Sequence, residues 1–207
     1  MTVTGITEIS KSKVKIMIDY EFAFVLYKGE LRSYHIKEGQ EITQETYDTL
    51  MKEVLSKRAK LRAMHLLKAR SYTEKTLTDK LAEGGYPFQV IEDAIAYVKS
   101  FGYIDDRQYA IDFIEYNKEC KSRSKIINTL INKGIAGEII EESWHYVMAG
   151  EERNLEREQI LVWMKKKNFN PSEADFGEKQ KFSAFLYRKG FQIDNIRDAL
   201  SLDITSI

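Results

Sequence analysis

Leu77-Thr78-Asp79-Lys80-Leu81 runs into Gly85-Tyr86 and then Val90-Ile91. Ile126-Ile127-Asn128-Thr129-Leu130 runs in the same way into Gly134-Ile135 and Ile139-Ile140, and Phe182-Ser183-Ala184-Phe185-Leu186 into Gly190-Phe191 and Ile196. Each copy has apolar residues four apart, a glycine four residues later, one apolar residue after it and a second helix-period run. Helix, glycine stop, helix is therefore a repeated unit, and an internal repeat of this kind decides the architecture. The chain is predicted to be mainly α, a tandem array of three three-helix modules with a small N-terminal β-rich hairpin region.

Working outward, the first forty residues differ in kind. Val14, Ile16 and Ile18 alternate, Phe22 to Tyr27 forms a β-rich block, and Leu31 and Tyr34 follow Lys28-Gly29. This is strand periodicity, and Phe22 to Tyr34 is expected to be a β-hairpin turning at Lys28-Gly29. Thr43 is the expected N-cap of a long or gently kinked helix to about Ala69, through Tyr47, Leu50, Met51, Val54, Leu55, Leu61 and His65. Thr73 caps the next helix, Gly84-Gly85 ends it, and Pro87 falls in the first turn of the third. The expected organisation is 1–42 as the β-rich region, 43–104 as linking helix and first module, 105–150 as second module and 151–207 as third. In that last module Glu151 to Lys167 reads as a helix with Leu155, Leu161 and Met164 as apolar contacts, and Asn168 to Gly177 as a longer loop.

The chain has 207 residues, 43% of them hydrophobic, enough to bury real cores. No apolar run approaches the roughly 20 residues of a membrane helix and no secretory signal pattern opens the chain, so a cytoplasmic address with no membrane partner is expected. Cys120, the single cysteine, has no neighbour at metal-ligand spacing and reads as an ordinary reduced thiol. No phosphate loop, dinucleotide fingerprint, nucleophile elbow or zinc-protease motif is present, so no cofactor, metal or catalytic residue is expected and the chain reads as a non-enzyme. Asp105-Asp106 and Glu141-Glu142 sit where helices favour acids, and His35, His65 and His145 are far apart.

With 32 basic and 32 acidic residues the net charge is zero, but the charge is locally sorted. Lys52 to Arg70 holds seven basic residues against Glu53, and Lys118 to Lys133 five against Glu119. Lys165-Lys166-Lys167 and Arg188-Lys189 add smaller clusters. Each belongs to a different module, and a stacked array would set them along one side; solvated helix faces are the plainer reading. Trp144 occupies the position of Ile95 and Leu200 in the other copies and is expected in the core. Trp163, Tyr72 and Tyr103 are freer to form a contact surface.

Ala63 to Arg70, Tyr72-Thr73, Leu77, Lys80-Leu81 and Gly85-Tyr86 together resemble the first repeat of the RecX family of recombination regulators. Phe101-Gly102-Tyr103-Ile104-Asp105-Asp106 with Tyr109-Ala110 is similar to that family's most distinctive motif, and Lys125-Ile126, Leu130 and Lys133-Gly134-Ile135 resemble its second repeat. The likeness covers residues 63 to 147 closely, with a weaker third repeat. Thr76 stands where the family commonly has an acid, Ser122 lies near a usual glycine, and Gly84 replaces a usual basic residue. The resemblance implies a regulator of homologous recombination and DNA repair that binds the RecA recombinase, above all its filament on single-stranded DNA, and restrains its ATPase and strand exchange. The contact surface is then expected at Arg58, Arg62, Arg70, Lys121, Arg123, Lys125, Lys165 and Lys189. A helix-turn-helix-like DNA reader and a helical protein-only scaffold are the alternatives.

Overall fold

The computed structural model describes residues 1–149 and 155–200. They divide into two compact units, one through Asp105 and one from Asp106 onward.

Unit 1 opens with three antiparallel strands, β1 (Val3–Glu8), β2 (Lys13–Ile18) and β3 (Glu21–Tyr27), in the order β1-β2-β3. The alternation in β2 sends Val14, Ile16 and Ile18 into the core. Asp19 and Tyr20, both with positive φ, make the β2–β3 turn; the Asp19 carboxylate accepts from the Thr2 N–H and the Tyr20 N–H donates to Thr4 Oγ1, each at 2.8 Å. The predicted hairpin over Phe22 to Tyr34 is not formed. β3 pairs instead with the earlier β2, and Lys28–Ser33 is a short helix, α1. The reason is local: Glu30 Oε2 accepts from the Tyr27 N–H at 2.7 Å, closing a helical turn where a strand turn was expected.

Thr43 caps the following helix as expected, its hydroxyl accepting from the Thr46 N–H at 3.1 Å. Helix α2 (Gln44–Thr49), a π-helical stretch (Leu50–Leu55) and α3 (Ser56–Ala69) follow without a break. Leu50, Met51 and Leu55 point inward, and the buried face continues through Ala59 and Ala63, whereas Leu61 and His65 are exposed. The two alanines let α5 (Phe88–Ser100) lie close against α3. Helix α4 (Glu74–Glu83) completes the unit, capped by Thr73. Pro87 is the N-cap of α5, one position before the expected first turn. A single buried cluster runs from Val3 through Leu55 and Leu77 to Ile104, so sheet and helices share one core. Tyr72 is buried in it rather than free for contact.

Unit 2 contains α6 (Asp106–Asn117), α7 (Arg123–Asn132), α8 (Gly137–Met148), α9 (Leu155–Lys166), α10 (Phe176–Arg188) and α11 (Ile193–Leu200). One core gathers Ala110, Ile114, Ile126, Leu130, Ile135 and Ile140, and another Ile160, Met164, Phe182, Leu186, Phe191, Ile196 and Leu200. The repeat holds at two of its positions: Leu81, Leu130 and Leu186 are fully buried, and Gly85, Gly134 and Gly190 all have positive φ, the conformation that stops a helix and lets the next turn back. The predicted start of the third module's first helix, at Glu151, lies outside the described residues. Within α9, Ile160 takes the inward place and Leu161 is exposed, because the face set by Leu155 and Met164 falls one residue earlier. The loop after α9 ends at Asp175, whose carboxylate accepts from the Glu178 N–H at 2.7 Å, so Gly177 is already helical. Trp144 is half-buried against the second core; its neighbour Ser143 is the fully buried residue. The indole packs its body against the core and stays partly in solvent beside the Arg123 guanidinium, 5.2 Å from its ring.

Candidate nucleic-acid interface

The expected contact cations fall into distinct settings. Arg58 is built into unit 1: its guanidinium donates to Glu30 Oε2 at 2.7 Å and to the Val25 carbonyl, and lies 4.9 Å and 5.5 Å from the ring centroids of Tyr27 and Tyr86. It joins β3, α1, α3 and the turn after α4. Burial pushes the Tyr86 hydroxyl above its ordinary range, and the charges of Arg58 and Arg62 pull against that. Arg62 is exposed on α3, and Arg70 is exposed with its guanidinium 4.6 Å from the Tyr72 ring.

Arg123 in unit 2 is similarly engaged. Its Nη2 donates to Glu141 Oε2 at 2.6 Å, and its guanidinium sits 5.2 Å from the Trp144 ring. Glu141 is therefore an arginine partner and not half of an acidic pair with Glu142. Lys165 is exposed on α9.

Lys121, Lys125 and Lys189 come together. They line a cleft of about 340 Å³ with Arg188, Cys120, Ser122, Trp163 and Phe191. Four of these eight residues are cationic and none is acidic. Two hydrogen-bonded struts hold the walls. The buried Ser122 hydroxyl donates to the Lys189 carbonyl at 2.8 Å across 67 residues of sequence. The buried Gln159 amide donates to the Lys118 carbonyl and, at 3.0 Å, to the Lys121 carbonyl. Gly190 closes the joint: a Cβ there would lie 2.8 Å from Ser122 Oγ. On α9, Glu156 accepts from the Gln192 N–H at 3.1 Å and from Asn195 Nδ2 at 2.7 Å, fixing the start of α11.

Trp163 stands over the third core, edge-to-face with Phe185 at 5.4 Å, and the Lys189 ammonium lies 4.9 Å from its ring centroid. Arg188 was not among the expected contact residues, although its pairing with Lys189 in a basic doublet was a usable signal. Ser122 and Gln159 carried no such signal, since their roles depend on carbonyls far away in the chain. Among the described residues no three His, Cys, Asp or Glu side chains gather as a metal site, and no helix is long and apolar enough to cross a membrane.

Comparison with known proteins identifies relatives of the chain. The family profile "RecX, first three-helix domain" matches residues 59–97 and "RecX, third three-helix domain" matches residues 156–200. The regulatory protein RecX of Caldanaerobacter subterraneus subsp. tengcongensis is 35% identical over 204 residues, covering 98% of this chain and 100% of its own length. The chain belongs to the RecX family. A second RecX, from Clostridium botulinum, is 28% identical over 194 residues, covering 92% of this chain and 90% of the relative. Among solved structures, a crystal structure of regulatory protein RecX aligns over 98% of this chain and 99% of its own with a TM-score of 0.61 and 19% identity. The crystal structure of RecX from Lactobacillus salivarius gives 0.60 and 21% identity, over 72% of this chain and 96% of that one. At those identities the structural likeness establishes the RecX fold: helical modules preceded here by a small sheet.

Proposed function

We propose that this RecX-family chain is a non-catalytic regulator of the RecA recombinase, binding the RecA filament on single-stranded DNA and restraining its ATPase and strand exchange. The observation that carries the reading is the relation to a regulatory RecX over nearly the whole of both chains. Three helical modules with basic residues on each suit a partner that is itself elongated and anionic. The cationic cleft of unit 2 and the exposed Arg62 and Arg70 of unit 1 are the surfaces through which DNA phosphates would be met, whereas Arg58 and Arg123 act within the fold.

The test is the DNA-dependent ATPase of the cognate RecA on single-stranded DNA while this protein is titrated in. Inhibition well below one molecule per RecA subunit is expected, because a filament stops growing when its ends are occupied. Unchanged hydrolysis with folded protein at equimolar RecA would overturn the reading.

A further inference from the structure

We propose that the cleft between the second and third modules seats one nucleotide unit of a single-stranded nucleic acid. A backbone phosphate is held among Lys121, Lys125, Arg188 and Lys189, and the attached base stacks on Trp163. The inference deepens the filament reading by naming where the DNA touches, and rests on that reading only for the identity of the strand.

The first argument is electrostatic. In a chain with equal numbers of acids and bases, several cations have a carboxylate within reach: Lys52 with Asp48, Lys75 with Asp79, Lys80 with Glu83, Lys99 with Glu74. The cleft departs from that habit, setting four cationic residues around about 340 Å³ with no acid among the described residues of its lining. Like charges so gathered repel, and an anion among them relieves the repulsion. Phosphate suits a mixed set of lysines and an arginine, the former as point charges and the latter as a fork.

The second argument is the aromatic wall. Phe185 holds Trp163 from the edge, and the ammonium groups of Lys189 and Lys166 lie over its ring, 4.9 Å and 5.0 Å from the centroid. Both lysines are exposed. Stacking of a base on an aromatic ring is stronger than a solvent-exposed cation–π contact. A base therefore displaces the Lys189 ammonium, which remains beside the phosphate attached to that base. An acidic peptide would satisfy the cations but offers no flat π-face to the indole. A duplex offers phosphates but keeps its bases stacked inside.

The third argument is that the site is built before anything binds. Ser122 and Gln159 pin its walls by main-chain hydrogen bonds, and the close approach at Gly190 leaves no slack between them. The Ser122 hydroxyl is spent on the Lys189 carbonyl, so it is not offered to a base edge, and the cleft is expected to bind with little sequence preference.

Cys120, the chain's single cysteine, is exposed in the cleft lining and reports its occupancy in the unmodified protein. The experiment measures the rate of Cys120 alkylation by iodoacetamide in the full chain without RecA, alone and with saturating oligo-dT, oligo-U, duplex DNA or poly-aspartate. Either single strand is expected to slow the reaction at least fivefold, the stronger of the two identifying its source, with duplex and poly-aspartate giving less than twofold. Lys125→Gln with Arg188→Gln is expected to weaken oligo-dT binding by fluorescence anisotropy about tenfold and to flatten its salt dependence, with unchanged melting. Lys52→Gln with Lys75→Gln, two exposed cations of unit 1 that pair with Asp48 and Asp79 and lie outside the proposed contact surface, serves as the two-charge control. Equal alkylation with and without oligonucleotide, or wild-type affinity in the double variant, overturns the proposal. Protection by poly-aspartate as strong as by oligo-dT overturns it in favour of an acidic protein segment. ATPase inhibition without protection of Cys120 would sink the cleft and leave the filament reading; protection without inhibition would do the reverse.

Discussion

Replacing Arg58 with alanine removes a charged group from the middle of unit 1, and the expected effect is on stability before it is on binding. Arg58 and Glu30 have side chains only 19% and 22% exposed, so their ion pair is partly shielded from solvent. That pair and the bond to the Val25 carbonyl are together worth about 2–4 kcal/mol after allowance for screening. The contacts with Tyr27 and Tyr86 add roughly 1–2 kcal/mol. Side-chain entropy returned on truncation offsets about 2 kcal/mol. The net loss is about 1–4 kcal/mol, which for a unit of this size shifts the midpoint of thermal unfolding by roughly 5–30 °C. The assay uses an accident of composition: both tryptophans, Trp144 and Trp163, lie in unit 2. Far-UV circular dichroism should show the early loss of unit 1 while the tryptophan fluorescence transition stays in place. Arg58→Lys keeps the charge but not the two-pronged donor, and is expected to recover less than half of the loss. Arg58→Ala with unchanged unfolding and weakened oligonucleotide or filament binding would refute the reasoning and return Arg58 to the contact surface.

Two glycines with similar backbones separate strain from collision. Gly85 has φ +76° and a Cβ there would sit 2.2 Å from Val25 Cγ2, whereas Gly102 has φ +68° with nothing within 4 Å. Gly102→Ala is expected to cost about 1 kcal/mol and Gly85→Ala about 3–5 kcal/mol, measured by urea unfolding. Trp144→Ala is expected to destabilise the second module by about 2–3 kcal/mol, short of the 3–5 kcal/mol of a fully enclosed aromatic, with the tryptophan fluorescence of Trp163 as the readout. Because burial raises the pKa of the Tyr86 hydroxyl in the folded state, the stability it confers is complete below about pH 10 and is lost as the pH rises through the folded value. Urea midpoints above pH 10 should therefore fall more steeply in the wild type than in Tyr86→Phe.

The helical modules were legible because their signals are local. Apolar residues four apart, a capping hydroxyl at Thr43 or Thr73, and a glycine that can take positive φ each act within a few residues of chain. The N-terminal hairpin was misplaced for the same reason. The turn between β2 and β3 is made by Asp19 and Tyr20, which carry no glycine signal, while the Lys28-Gly29 that did carry one begins a helix under the control of Glu30.

The contact residues divide along the same line. That Lys121, Arg123, Lys125 and Lys189 are cations is plain from their names, and that each sits near a helix end follows from the repeat. Which partner each meets depends on residues elsewhere in the chain: Glu141 pairs with Arg123 from 18 residues away while both stay partly exposed, Glu30 claims Arg58 from 28, and Ser122 reaches the Lys189 carbonyl from 67. By itself, then, the sequence determined a RecX-like array of helical modules, because helix periodicity and glycine conformation are written in short stretches. Only the tertiary structure decided which charges are spent inside the fold and which converge on a cleft, because charge pairing is a matter of distance in space.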